Sequence, residues 1–101
     1  MLKECSGGGV ASVATATTAG VLLFKGDKRI NYIRLSNLGE DYVYVTPANG
    51  DTNQAEMNKG IVLAPKGEHG WFIEFNRTNM IHCDFWAVAS SSCQVAVFLG
   101  M

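Results

Sequence analysis

The sequence predicts an all-β domain, an antiparallel β-sandwich of jelly-roll or Greek-key type with about seven or eight short strands and an extended N-terminal arm. Three observations carry this. Asp41 to Thr46 alternates cleanly, Val43 and Val45 to one side and Tyr42 and Tyr44 to the other, which is the period of a strand with two different faces. Apolar segments recur about every ten residues with turn chemistry between them. No segment sustains an apolar period of 3.6, so no helix is expected.

In chain order, residues 1 to 9 form a polar, Gly-rich lead-in, and Val10 to Thr18 (VASVATATT) reads as an extended arm or first strand. Val21 to Phe24 is a short apolar strand stopped at Lys25-Gly26-Asp27-Lys28, a turn signal. Arg29 to Asn37 follows with Ile33 and Leu35 on one face. Leu38-Gly39-Glu40 then turns the chain into Asp41 to Thr46. Two such strands joined by a short Gly-containing turn predict a hairpin. Pro47 to Lys59 is a polar loop, with a short helical turn expected at Asn53 to Met57. Gly60 to Ala64, Gly70 to Phe75, Met80 to Ala89 and Cys93 to Leu99 complete the strands, and Ser90-Ser91-Ser92 turns between the last two. The expected core is Leu23, Ile33, Leu35, Val43, Val45, Ile61, Leu63, Ile73, Phe75, Phe85, Val95 and Val97. The organisation is a single domain over residues 19–101, preceded by the Gly/Ala/Thr-rich arm or first strand at 1–18.

Composition narrows the function. Of 101 residues, 48% are hydrophobic and only 17% charged, with a formal net charge of −1. That charge content is below the roughly 25% of an average soluble domain. A surface covered by Gly, Ala, Ser, Thr and Asn suits burial against a partner. No run of Lys or Arg reaches three residues, which argues against nucleic acid and against anionic membranes. No apolar stretch approaches the roughly 18 residues of a membrane span. The first residues lack an apolar secretory core, which predicts folding in a cytoplasm. The three cysteines, Cys5, Cys83 and Cys93, are an odd set without a leader and read as free thiols. A Cys83–Cys93 bridge would require the two to lie on neighbouring strands.

Catalysis needs convergent polar groups, and few are present. His69 falls in a turn. His82, Asp84 and Trp86 are expected on one strand face, with Cys83 and Phe85 on the other, so the His82–Cys83 adjacency is not a nucleophile–base pair. A metal would want further ligands than His82 and Asp84, and no spacing supplies them. Gly7-Gly8-Gly9 lacks the Lys-Ser/Thr of a phosphate cradle and reads as a tether. Asn76-Arg77-Thr78 matches a glycosylation pattern that is common by chance. The chain is therefore expected to be no enzyme, with no cofactor and no metal. The candidate contact residues are apolar ones on the arm (Leu2, Val10 and Val13) and aromatics expected on outer faces (Tyr42, Tyr44 and Trp86, with Tyr32 beside them). Exposed aromatics hold partners or sugars at low entropic cost.

One pattern is familiar. Arg29-Ile-Asn-Tyr-Ile-Arg-Leu-Ser-Asn37 is an Arg-led strand ending in Asn. Asp41-Tyr-Val-Tyr-Val45 follows, then a loop, then Lys59-Gly-Ile-Val-Leu-Ala-Pro-Lys-Gly67, an aromatic strand, Ile81 to Ala89 with a Ser turn, and Val95-Ala-Val97 at the end. Over roughly residues 18 to 101 this resembles the small β-sandwich structural proteins of tailed bacteriophage virions, departing from them at its end, Met101. The resemblance implies a capsid decoration or cement protein, or a head-fibre or tail-associated piece. Its partners would be the major capsid protein or another virion protein. It would form a homo-oligomer, with a trimer among the forms, and would sit on the capsid surface after synthesis in the host cytoplasm. The alternative is a carbohydrate- or receptor-binding module using the outer aromatics. The arm at residues 1–18 is expected to add a strand to a neighbour's sheet edge.

Overall fold

A computed structural model describes residues 9–101 of the chain. Leu2, Cys5 and the first two glycines of the Gly-rich lead-in lie outside the described residues. Among the described residues eight strands form: β1 Gly9–Ala16, β2 Val21–Phe24, β3 Tyr32–Asn37, β4 Val43–Pro47, β5 Ile61–Leu63, β6 Phe72–Phe75, β7 Phe85–Ala89 and β8 Cys93–Gly100. They make two four-stranded antiparallel sheets, ordered β1-β8-β3-β6 and β2-β7-β4-β5. The ladders β1·β8, β2·β7, β3·β6 and β4·β5 are those of one long hairpin. Rolling that hairpin up adds β3·β8 and β4·β7. This connectivity is an eight-stranded jelly roll.

The core lies between the sheets. Ten of the twelve expected core residues are buried, and Ile61 and Ile73 are partly buried against them. Phe85 anchors the centre, with Phe24 stacked on it at 4.7 Å and Phe75 edge-on at 5.7 Å. Ile30 and Leu99 join them, and Ala16, Ala87, Ala89 and Cys93 complete the core. Their small side chains let the two sheets approach, a role that hydrophobic alternation does not flag.

Three sequence expectations are corrected. The first is the β3–β4 hairpin: β3 lies in one sheet and β4 in the other, so residues 38–42 form an arch across the sandwich. Asn37 explains why. Its side chain is fully buried, and its Nδ2 donates to the carbonyls of Asp41 (2.7 Å), Ala64 (2.9 Å) and Leu63 (3.3 Å). Its Oδ1 accepts the Gly39 amide at 2.9 Å and the Cys93 thiol at 3.1 Å. The backbone N–H of Asn37 donates to Trp71 O at 2.8 Å. A Cβ at Gly39 would run into Cys93 Sγ, so only glycine fits where the arch passes β8.

The second correction concerns Met80 to Ala89, of which only Phe85–Ala89 is strand. Asp84 instead ties loops together. Its Oδ1 accepts the Gly26 amide at 2.8 Å, its carbonyl accepts the Ala48 amide at 2.8 Å, and its own N–H donates to Asn49 Oδ1 at 3.1 Å. The third concerns the loop after β4, which has no helical turn at Asn53 to Met57. Asn53 closes its side-chain amide on both backbone groups of Ala55 (3.0 Å each), a local alternative to helical bonding, and the chain reverses at Asn58 with φ 64°.

The β1 segment is a strand of the first sheet over Gly9–Ala16, paired along its length with β8, with Ala16 in the core. The arm-or-strand alternative therefore resolves to a strand for these residues.

The Asn37 node gives a direct test. Asn37→Ala leaves buried backbone carbonyls without donors and should destabilise the fold by about 2–4 kcal/mol. This should lower the melting temperature by about 10–20 °C. Urea and thermal unfolding measure it, and a loss under about 1 kcal/mol would show that the arch holds without the amide.

Candidate functional site

The two sheets differ in how their outer faces are covered. Over the second sheet, Trp86 and Val88 of β7 join Ala55 in a small buried cluster, with Leu22, Tyr44 and Met57 packed at its rim. The Trp86 indole N–H donates to Ala48 O at 3.0 Å. The polar loop after β4 thus folds back over this face, and all five residues of β7 are buried. The expectation that Trp86 is an exposed outer-face aromatic is corrected: it is 8% exposed. Tyr44 is partly buried beside it, and Tyr42 stands exposed on the arch. The aromatic row behind the carbohydrate alternative is therefore broken up.

The outer face of the first sheet is open. Residues paired across an antiparallel ladder share a face, so the registers assemble two outward rows. One runs Ala11, Phe98, Arg34, Glu74, and the other Val13, Ala96, Ser36, Phe72. Val13, Phe72 and Phe98 are large apolar side chains left exposed on this face. The small residues Ala11, Ser36 and Ala96 set a groove between Val13 and Phe98, lined also by Arg34, with a volume of ≈ 370 Å³. A polar strap crosses the β3–β6 side. The Tyr32 hydroxyl donates to the Glu74 carboxylate, which pushes the phenol above its ordinary range. The Arg34 guanidinium lies 4.3 Å over the Phe72 ring and 3.8 Å from Glu74. Phe98 meets Tyr32 edge-on at 6.0 Å. The strap holds these side chains in place, which lowers the entropy that a partner would have to remove on docking.

Val10 belongs to the inner face by register but is 48% exposed, because β2 has four residues against eight in β1 and leaves the start of β1 uncovered. Of the six contact residues predicted from sequence, Val10, Val13 and Tyr42 are therefore exposed, Tyr44 and Trp86 are packed under the loop, and Leu2 lies outside the described residues. Sequence reasoning missed Phe72 and Phe98. Both were legible, since Ile73 and Phe75, or Val95 and Val97, point inward and alternation sends their neighbours out.

Titratable groups at the far end are engaged in structure. Among the described residues no group of three or more His, Cys, Asp or Glu side chains could hold a metal. His82 sets its Nε2 3.1 Å from Ile30 O, while Lys28, Arg77 and Asn31 share a shallow recess with it. Cys83 and Cys93 are both free thiols; burial, then the Asp84 charge, pushes the Cys83 thiol up. Asn76 of the glycosylation pattern accepts the Thr78 amide at 2.9 Å within its own turn. Asp27 accepts from Arg29 through both the side chain, at 2.7 Å, and the backbone N–H, at 2.8 Å. Chiefly through the side-chain bond, its pKa falls from 3.8 to about 2.

No family model, curated protein or solved structure matches this chain.

The Asp27 shift can be measured. Because the folded value is depressed, the stabilisation it brings is present above pH 3.8 and is lost as pH falls through about 2. In an NMR titration the Asp27 carboxyl should titrate near pH 2, and Arg29→Ala should return it toward 3.8. A midpoint unaffected by Arg29→Ala would remove the guanidinium as the cause.

Proposed function

We propose that this chain is a non-enzymatic structural protein of a tailed-phage particle, seated on the major capsid protein or another virion protein as a decoration or cement subunit. The observation that carries the reading is the open outer face of the first sheet, where Val13, Phe72 and Phe98 stand exposed around small residues, while on the opposite sheet a loop covers Trp86 and Val88 and leaves Val62 exposed at the edge strand. An apolar face left uncovered on one side of a small domain favours attachment to another protein. Burying it releases roughly 25 cal/mol per Å² of apolar area. A subunit that binds only the assembled form of its partner stabilises that form by mass action.

The virion setting comes from the resemblance carried by Arg29 to Asn37, Gly60 to Gly67 and the final hairpin. The jelly roll is compatible with it, being a fold of many capsid domains, but it also serves lectins and enzymes, so the fold alone does not select among them. The open face favours a protein surface over a sugar, because its exposed rings are separated by Arg34 and Ser36 and form no continuous stacking platform.

Co-sedimentation with assembled particles tests the reading. The wild-type protein should pellet at a fixed copy number per particle. Phe98→Glu should reduce the bound copies by about tenfold, equivalent to about 1.4 kcal/mol. Val62→Ser, on the opposite sheet, should bind normally. Wild-type protein left in the supernatant would sink the proposal, as would full occupancy by Phe98→Glu.

A further inference from the structure

We infer that β1 is a self-pairing edge, and that two copies of this chain join antiparallel through it into one continuous eight-stranded sheet. The two sheets have four edge strands, β1, β6, β2 and β5. Three are short: β2 has four residues, β5 three and β6 four, with Glu74 on β6. Short or charged edge strands are how folded proteins stop their backbones from recruiting other chains. The β1 edge has neither protection. It runs eight residues, GVASVATA, about 27 Å of extended chain. It contains no charge and no proline, and its ladder with β8 is an unbroken register from Gly9↔Gly100 to Ala16↔Cys93. Among the described residues, no strand pairs with its other side.

The burial of β1 points the same way. Gly9 to Val13 are five consecutive exposed residues, a pattern seen in no other strand of the fold. Val13 at 57% and Val10 at 48% are exposed on opposite faces of this one strand. A flanking strand covers part of both faces at once. A partner docked on one sheet face would cover only Val13.

The occupant follows from edge length and charge. Pairing along a strand this long needs another long, unprotected edge, and the described part of this molecule offers only one, the β1 of a second copy. Two β1 strands bring no like charges together. Antiparallel pairing about a two-fold axis keeps outer residues with outer residues, so the groove lined by Ala11, Ser12 and Val13 would continue from one copy into the next. A closed trimer would instead need β1 to meet a different edge, and those edges are half its length or less. The pairing shares Val13 with the attachment face proposed above, but it rests on the edge of β1 and its test needs no virion component, so it stands or falls without that reading.

Sedimentation velocity on the full chain, from micromolar to hundred-micromolar concentration, tests this with no phage component present. The expected result is a dimer. Val13→Lys and Val13→Glu should each weaken it by about tenfold or more, and an equimolar mixture of the two should restore it. Restoration by the mixture is specific to a homotypic two-fold contact near residue 13. Backbone hydrogen exchange of the wild type supplies a readout free of substitutions: amides within Gly9–Ala16 should gain protection as concentration rises. A monomer throughout, a trimer, a dimer indifferent to both Val13 variants, or exchange in β1 that ignores concentration would each overturn the inference.

Discussion

A single buried amide holds the two sheets of this protein in relation to each other. Asn37 ends β3 in the first sheet, yet its side chain bonds the carbonyls at the end of β5 in the second, the arch that crosses between them, and the thiol that opens β8. No buried side-chain polar atom among the described residues is left unpaired. In a low-dielectric interior such a network strongly favours one arrangement, because losing any member strands the others without water. The five partners of this amide tie the end of β3 to the end of β5, the arch and the start of β8.

Upon that frame the fold distributes its surfaces unequally. The long loop between β4 and β5 returns over the second sheet and seals Trp86 and Val88 beneath Ala55. The first sheet has no such cover. Its outer face keeps Val13, Phe72 and Phe98 in contact with solvent, stiffened by the Tyr32–Glu74–Arg34 strap. At its β1 edge the short β2 leaves the inner face open as well. Surface available to partners is thus concentrated on one side and one edge. That asymmetry leaves a weakly charged domain with an apolar face and, among the described residues, an unpaired strand edge, the two features on which the proposals above rest.

Much of this was legible in one dimension. The alternation of Val43 and Val45 with Tyr42 and Tyr44, and of Val95 and Val97 with Ala96 and Phe98, located strands and their inward residues, because a side-chain period of two depends only on the extended backbone. Spacing and turn residues gave the strand count for the same local reason. The outward position of Phe98 was written in the same alternation as the core.

What the tertiary structure alone decided was which strand lies beside which. The residues between β3 and β4 carry the signals of a hairpin, and nothing local distinguishes a hairpin from an arch; the choice rests on Asn37 reaching Leu63 and Ala64, 26 and 27 residues away. The fate of Trp86 was equally non-local, since its exposure depends on a loop folding back from residues 48–59 and not on its own strand. Sequence by itself determined the all-β class, the strands and most of the core, because these follow from local backbone geometry and side-chain polarity. The jelly-roll order, the covered face and the open edge were decided by long-range pairing and burial, which exist only once the chain has closed on itself.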